Sequence, residues 1–209
     1  MLMLIMLILL TSSISSGHEI NNKLMGKVIV LDAGHGGKDR GTSSRGIYES
    51  DINLNIVLKL RDELVKQGVN VILTRDGDYD LSSPNVDRRK KSDFDNRIKL
   101  INSSEADMYI SIHMNYLADA KYYGAQTFYT GNNERLANVI QESLKKGLNS
   151  PMNSKKLSES IYMYKKLTIP GLLIECGFLS NSKERNLLVD DSYQLKIVKS
   201  IITGLIQYY

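Results

Sequence analysis

The chain has 209 residues, 42% of them hydrophobic and 24% charged, which is enough for one substantial core and short for two domains. The formal charge of +4 comes from basic residues spread among nearly as many carboxylates, so the composition gives no reason to expect a nucleic-acid partner. The single cysteine, Cys176, excludes internal disulfides and cysteine-rich zinc sites, and any metal must therefore be held by histidines and carboxylates.

The first residues have the order of an export signal. Residues 1–10 are wholly apolar and residues 11–17 are mostly small and polar, as in an h-region followed by a cleavage region. No Lys or Arg precedes Lys23, and the apolar run is too short for a helix that crosses a ~30 Å hydrocarbon core. We predict a signal peptide or membrane-proximal leader at residues 1–25, in preference to a buried N-terminal helix, and a single folded domain at residues 26–209.

The domain is predicted to open with a strand, a loop and a helix. Residues 28–32 form a β-branched apolar run that breaks into the glycine-rich segment 33–37, which indicates a buried strand and a loop able to approach a ligand closely. A helix ended by Gly68 is predicted by apolar residues that recur at every fourth position, namely Ile52, Ile56, Leu60 and Leu64. Glu49 falls at the N-terminal edge of this helix, and residues 69–74 predict a second strand.

The middle of the chain begins with its longest loop-like region, residues 75–91. This region ends in the basic run 88–91, which is typical of a solvated loop or of the solvated start of a helix, with glycan or wall contact as the alternative. Phe94, Ile98 and Ile101 then indicate a second helix, and residues 108–113 predict a third strand that ends in polar Asn115.

The last part of the chain predicts two strands and two helices. The strands are residues 124–130, half exposed, and 172–176, fully buried; the helices are residues 132–148 and about 193–208. The final helix is predicted to turn four residues inward, namely Leu195, Val198, Ile202 and Leu205. Strands that alternate with helices predict an α/β domain whose mostly parallel sheet is covered on both faces.

Three ionisable side chains, His35, His113 and Glu175, lie at or just after predicted strand ends. Because ligands bind beyond the carboxyl ends of parallel strands, we expect them to converge at one rim, with Glu49 leaning in from the first helix. Two imidazoles and one carboxylate form a common catalytic zinc shell that leaves a fourth position open for water. Glu175 lies in an apolar strand, where a carboxylate must be paired, protonated or functional, so we predict that it is the general base of a hydrolase.

Three further residues near these positions receive weaker assignments. Asp32 and Asn115 are expected to hold a histidine tautomer or to contact substrate. Cys176 is expected to be a small buried hydrophobe rather than a nucleophile, because both site histidines are assigned to the metal.

Four segments, in this order along the chain, resemble the motifs of the zinc N-acetylmuramoyl-L-alanine amidases. They are Leu31-Asp-Ala-Gly-His-Gly-Gly37, Glu49 with Asn53-Leu54, Ser111-Ile-His-Met-Asn115 and Glu175-Cys-Gly-Phe-Leu-Ser-Asn181. The resemblance extends from Lys27 to nearly the end of the chain and implies that His35, Glu49 and His113 bind one Zn²⁺ per chain while Glu175 is catalytic. It also implies a twisted sheet of about six strands between helices, in agreement with the alternating pattern.

Within this family, residues 89–97 followed by Leu100-Ile-Asn102 are similar to the spore-cortex, germination-specific branch. That similarity implies an exported enzyme that hydrolyses the amide bond between the lactyl group of N-acetylmuramic acid and L-alanine in peptidoglycan. It further implies action during sporulation, with stem peptides removed so that muramic-δ-lactam can be made in cortex peptidoglycan. The expected partners are peptidoglycan and an accessory or targeting protein, with membrane association only through the leader, and the expected location is the cell wall, the cortex or the intermembrane space.

Two alternatives remain open. A second kind of zinc peptidase, such as a carboxypeptidase that trims the stem peptide, is disfavoured because the His-x-x-Glu ligand pair is absent at His35, where Lys38 occupies the fourth position. A catalytically silent wall-binding protein is disfavoured because all four site residues are present. The products of a peptidoglycan digest separate all three functions.

Overall fold

The computed structural model describes residues 23–158 and 161–209. The predicted leader at residues 1–25 therefore lies outside the described residues except for residues 23–25, and it stays a prediction. Within the described ranges, every helix is too short or too polar to span a membrane.

The described residues form an α/β domain. Its strands are β1 (Val28–Ala33), β2 (Ser43–Ser44), β3 (Ile47–Tyr48), β4 (Asn70–Leu73), β5 (Met108–Asn115), β6 (Gln126–Tyr129), β7 (Lys155–Lys156) and β8 (Gly171–Phe178). Its helices are α1 (Glu49–Lys66), α2 (Arg89–Asn102), α3 (Glu134–Leu148), α4 (Ser182–Leu188) and α5 (Asp191–Tyr208), with a 3₁₀ turn at Tyr164–Lys166.

Six strands form one sheet in the order β4-β1-β5-β8-β6-β7, while β2 and β3 form a separate hairpin. The first four are mutually parallel, β6 runs antiparallel to β8, and β7 runs parallel to β6. The prediction of a single-domain, mostly parallel sheet of about six strands is confirmed.

Both faces of the sheet are buried, which explains why its central strands are apolar without alternation. Along β1, Ile29 and Leu31 pack into the larger core with α1, α3 and α5, whereas Val30 packs on the opposite face with Ile101 of α2. Helices therefore cover both faces, as the alternating pattern predicts.

Helix α1 forms where the fourfold spacing predicts it. The four residues of that spacing are at most 2% exposed, namely Ile52, Ile56, Leu60 and Leu64. Gly68 follows the helix with a φ of +77° and donates its N–H to the carbonyl of Val65. This is the left-handed position that favours glycine after a helix, so the predicted helix end is confirmed.

The predicted inward face of α5 is partly wrong. Leu195 is 38% exposed and Ile202 is only partly buried, whereas Val198 and Leu205 are buried as expected. A Cβ added to Gly204 would lie 2.7 Å from Cδ1 of Ile140 in α3, so the two helices approach closely at this glycine. Small residues form the contact face of α5 at this point, and a prediction from the spacing of apolar residues does not detect them.

The basic run 88–91 lies at the start of α2, the helix-start position that was predicted beside a loop, so the loop-like region ends before this run. Arg89 forms an ion pair with Asp80, and Lys90 and Lys91 lie beside Asp39 and Asp95 at 3.6 Å and 2.5 Å. Three of the four basic side chains thus have local carboxylate partners. Contact with glycan stays a prediction.

Candidate active site

Three adjacent strands carry the predicted site to one edge of the sheet. His113 on β5 is the register partner of Glu175 on β8, and His35 follows the end of β1, which pairs with the other side of β5. The side chains of these three residues line one cavity of about 220 Å³. The rule that ligands bind beyond the carboxyl ends of parallel strands accounts for their convergence.

The two histidines meet at Glu49. His35 Nε2 lies 3.2 Å, and His113 Nδ1 2.9 Å, from Oε1 of Glu49, and the ligand atoms of the three residues all lie within 4.8 Å of one another. Among the described residues, this is the one group of histidine, cysteine and carboxylate side chains with spacing suited to a metal ion. The structure thus brings together the three residues predicted as ligands; the identity of the metal stays a prediction.

Glu49, the first residue of α1, is held in place by backbone donors from two other segments of the chain. Its Oε2 accepts from the N–H of Thr42 at 2.8 Å, and its Oε1 accepts from the N–H of Met114 at 3.1 Å. Burial opposes ionisation, but hydrogen bonds with His113 and His35 hold the pKa of Glu49 well below its ordinary value. The carboxylate is therefore charged and fixed, as a metal ligand must be.

His35 has a left-handed backbone, with a φ of +61°, which is unusual for a residue other than glycine. Its Nδ1 lies 3.0 Å from Oδ2 of Asp39, so the other nitrogen, Nε2, faces Glu49. Burial opposes protonation, but hydrogen bonds to Asp39 and Glu49 raise the pKa of His35 to about 9 in the metal-free protein. Asp39 therefore orients the imidazole. It was not among the predicted site residues, because its only signal in the sequence is a carboxylate four residues after the histidine.

Two buried arginines hold the loop that carries His35. Arg97 donates to the carbonyls of Ala33 at 2.8 Å and His35 at 2.6 Å, and Arg75 donates to those of Ala33 at 2.9 Å and Gly34 at 3.0 Å. Arg97 also forms ion pairs with Asp32 and Asp93 at 2.6 Å and 3.0 Å. The guanidinium groups satisfy backbone carbonyls that a tight loop cannot pair internally.

We expect Arg97→Met to lower the free energy of unfolding by about 3 to 5 kcal/mol, because two buried carboxylates lose their shared cation. Chemical denaturation monitored by circular dichroism measures the change. The matched control is Arg61→Met, which removes an arginine that pairs with Asp62 at the surface and should change stability by no more than about 1 kcal/mol. Equal losses in the two variants would contradict the prediction.

Asp32 and Asn115, the two predicted supporting residues, have different surroundings. Asp32 is buried, accepts from Thr74, Arg97 and Ser111, and does not touch a histidine directly. Burial opposes ionisation, but the charge of Arg97 and the hydroxyl of Ser111 lower the pKa of Asp32. Asn115 accepts from the N–H of Tyr116 and is not among the residues that line the cavity, so its predicted role stays untested.

Glu175 enters the cavity as a carboxyl group with an unused oxygen. Its Oε2 is buried and has no hydrogen-bond partner among the described residues. Burial, and then the negative charge of Glu49, raise the pKa of Glu175 to about 8 in the metal-free protein. A buried oxygen without a protein partner is open to a bound cation, water or substrate, which supports a functional role for Glu175.

The raised pKa of Glu175 predicts a pH-dependent stability in the metal-free protein. The folded state holds the carboxyl proton more tightly than the unfolded state, so stability falls as the pH rises from the ordinary value of 4.5 to about 8. Glu175→Gln cannot ionise and should melt several degrees above the wild type at pH 9, since 1 kcal/mol corresponds to about 2 to 4 °C at this size. Melting in chelator at pH 4 and pH 9 measures the effect, and a difference that does not change with pH would contradict it.

Cys176 is free and buried beside this site, and burial raises the pKa of its thiol well above the ordinary value. A protonated, enclosed thiol is a poor nucleophile, in agreement with the prediction of a packing role. Fold and site together define the class of the protein: an α/β enzyme domain with a His-Glu-His cluster and an adjacent carboxyl group at the carboxyl ends of its strands.

Comparison with known proteins identifies the family. The sequence profile of N-acetylmuramoyl-L-alanine amidases matches residues 29–207. The chain is 43% identical over 192 residues to the germination-specific N-acetylmuramoyl-L-alanine amidase of Bacillus subtilis (strain 168), which covers 89% of this chain and 81% of that relative. This chain belongs to the N-acetylmuramoyl-L-alanine amidase family, and the resemblance to its germination-specific branch is confirmed.

Solved structures agree with this assignment. The CwlD amidase from Clostridioides difficile, solved in complex with the GerS lipoprotein, superposes with a TM-score of 0.83 at 42% identity and covers 87% of this chain and 98% of that one. The catalytic domain of CwlV from Bacillus (Paenibacillus) polymyxa var. colistinus superposes with a TM-score of 0.76 at 30% identity over 87% of this chain and 97% of that one. The prediction that the protein is an amidase is confirmed.

Proposed function

We propose that this amidase is zinc-dependent and hydrolyses the amide bond between the lactyl group of N-acetylmuramic acid and L-alanine in peptidoglycan. The observation that carries the proposal is the convergence of one ligand atom each from His35, Glu49 and His113 within 4.8 Å of one another, beside the cavity that Glu175 lines with both histidines. Two imidazoles and one carboxylate match a catalytic zinc shell. The unpartnered Oε2 of Glu175 fits the place of a group that receives a proton beside it.

In this proposal His35, Glu49 and His113 would hold the zinc, and Glu175 moves the proton. When bound, zinc acts as a Lewis acid that acidifies water and polarises the amide carbonyl. Glu175 accepts a proton from the attacking water, whose oxygen bonds to the lactyl carbonyl carbon. As the carbon–nitrogen bond breaks, Glu175 passes that proton to the leaving nitrogen of L-alanine, and the products are a lactyl carboxylate on the glycan and a free stem peptide.

We further propose that the reaction takes place in spore cortex, where loss of stem peptides precedes formation of muramic-δ-lactam. The 43% identity to a germination-specific amidase of Bacillus subtilis supports this place of action. The Clostridioides difficile relative is seen in complex with a lipoprotein, which supports an extracytoplasmic location and an accessory protein for this chain as well. The leader at residues 1–25 would then serve for export or membrane association.

A digest of purified peptidoglycan tests the reaction. We expect stem peptides with a free L-alanine amino terminus, uncut glycan chains, and loss of both products in chelator with recovery on added zinc. Shortened stem peptides that remain attached to glycan would instead indicate a carboxypeptidase. A zinc-loaded protein that releases nothing would leave only wall binding.

Complementation tests the biological setting separately. Expression in a Bacillus subtilis strain that lacks its germination-specific amidase should restore muramic-δ-lactam to the cortex, as measured by muropeptide mass spectrometry. Activity in the digest without recovery of the lactam would retain the reaction but contradict a role in cortex.

A further inference from the structure

A chain of hydrogen bonds runs from His113 along the wall of the cavity, which Tyr164 and Asp32 also line. The hydroxyl of Tyr164 lies 3.3 Å from His113 Nε2 and 3.1 Å from Oγ of Ser111, and Ser111 in turn donates to Oδ2 of Asp32 at 2.6 Å. Tyr164 is 7% exposed, and Ser111 and Asp32 are almost fully buried. The imidazole edge opposite Glu49 is therefore in contact with a buried row of protein hydroxyls.

The carboxylate of Asp32, at the far end of this chain, determines which atom donates in each hydrogen bond. The Asp32 carboxylate only accepts, since its Oδ1 already receives hydrogen bonds from Arg97 at 2.6 Å and Thr74 at 2.8 Å. Ser111 has one proton and donates it to Asp32. The hydrogen bond between Ser111 and Tyr164 must then use the proton of Tyr164, and Tyr164 can only accept from His113, whose Nε2 must carry a proton.

Since Nε2 keeps its proton for Tyr164, Nδ1 is the nitrogen whose lone pair a metal can take, in place of the proton that Nδ1 donates to Glu49. Nδ1 is the nitrogen that faces Glu49 at 2.9 Å, in the group suited to a metal. We propose that Tyr164 and Ser111 are positioning residues that relay the charge of Asp32 to His113 and fix the tautomer that presents Nδ1 to the metal. This inference rests on the metal site of the proposed function.

The two histidines are oriented by different means. Asp39 bonds directly to Nδ1 of His35, which leaves Nε2 toward Glu49, whereas His113 presents the opposite nitrogen and reaches its carboxylate through two hydroxyls. Partners of this kind orient a histidine ligand, and their loss lowers metal affinity by about 10- to 100-fold.

Tyr164 reaches the site from the segment between β7 and β8, which also packs against α2. Tyr162 donates to Asp95 at 2.6 Å, and Asn102 of α2 bonds to the carbonyl of Lys166 and the N–H of Thr168, both at 2.9 Å. The hydroxyl of Tyr164 is thus placed by contacts on both of its sides along the chain.

Zinc affinity of the full chain, measured by competition with a chromogenic chelator, tests the relay. Tyr164→Phe removes only the hydroxyl, and Ser111→Ala leaves Tyr164 in contact with His113 but frees its proton to point at Nε2. We expect each to weaken zinc binding by about 10- to 100-fold. The matched control is Tyr109→Phe, because Tyr109 is also buried and stacks on Tyr164 but its hydroxyl bonds to Thr130. We expect the zinc affinity of this variant to stay within about twofold of the wild type.

A spectroscopic measurement separates a relay from simple packing. In zinc-loaded protein with ¹⁵N-labelled histidine, the retained ring proton of His113 should appear on Nε2, and its signal should shift in Tyr164→Phe and Ser111→Ala but not in Tyr109→Phe. A ring proton on Nδ1 would overturn the proposal.

The other possible outcomes also distinguish the relay from the proposed function. If the wild type binds zinc and both test variants match it, the relay is wrong and the proposed function stands. If the wild type binds no zinc, both fail. Should Tyr164→Phe not fold, as judged by circular dichroism, Ser111→Ala alone carries the test.

Discussion

Glu175→Gln should lower turnover of peptidoglycan by a factor of about 10² to 10⁴ while zinc stays bound, because the amide keeps the shape of the side chain but cannot accept a proton. Glu175 is the register partner of His113 and lines the same cavity, yet it is not one of the three residues grouped around the metal position. Release of peptides with L-alanine amino termini measures turnover, and elemental analysis measures zinc.

Glu184→Gln is the matched control for this variant. Glu184 is also a buried carboxyl group, but it accepts from the N–H groups of Gly124 and Phe178, both at 2.7 Å, and does not line the cavity. The amide of glutamine would direct its NH₂ group toward one of these backbone N–H groups, so two donors would face each other. The melting temperature should therefore fall, while turnover and zinc content are kept. Retained turnover in Glu175→Gln would remove Glu175 from the role of general base.

Gly34→Ala should abolish zinc retention and reduce activity to background. A Cβ at this position would lie 2.2 Å from Cε1 and 2.3 Å from Nε2 of His113, far inside van der Waals contact. The backbone at Gly34 cannot retreat, because its carbonyl accepts from Asn53 and Arg75, both at 3.0 Å. The imidazole of His113 must therefore move, and a displaced imidazole no longer meets the tetrahedral geometry that zinc requires.

Zinc per chain after dialysis measures the effect of Gly34→Ala, and circular dichroism shows whether the domain remains folded. Gly77→Ala is the matched control, since a Cβ there would meet the ring of Tyr79 at no less than 3.2 Å. It should bind zinc like the wild type. A Gly34→Ala protein with a full zinc complement would show that the His113 ring is not confined as the structure indicates.

The main features of the site could be predicted because they depend on strand ends. His35, His113 and Glu175 follow or close apolar runs, and a parallel sheet brings such ends together whatever the loops between them do. Glu49 followed from the apolar spacing of α1, which fixed where that helix begins.

Residues that act through tertiary contacts could not be predicted. Tyr164 lies in a segment without apolar periodicity, and only the folded chain shows that it touches His113 and Ser111. Arg97 is one basic residue among several around α2, and its burial beneath the His35 loop has no sequence signature. The hairpin of β2 and β3, strand β7 and helix α4 are too short for a periodic pattern to indicate them.

The arginines beneath the His35 loop have a consequence for how the protein acquires its cation. Since Arg75 and Arg97 bind the carbonyls of Ala33, Gly34 and His35, the protein itself holds the loop in shape, and we expect His35 to be in place before loading. Little ordering entropy then opposes uptake. Stripped enzyme should consequently stay folded, and it should recover full activity on simple mixing with one equivalent of zinc, without a denaturation and refolding cycle.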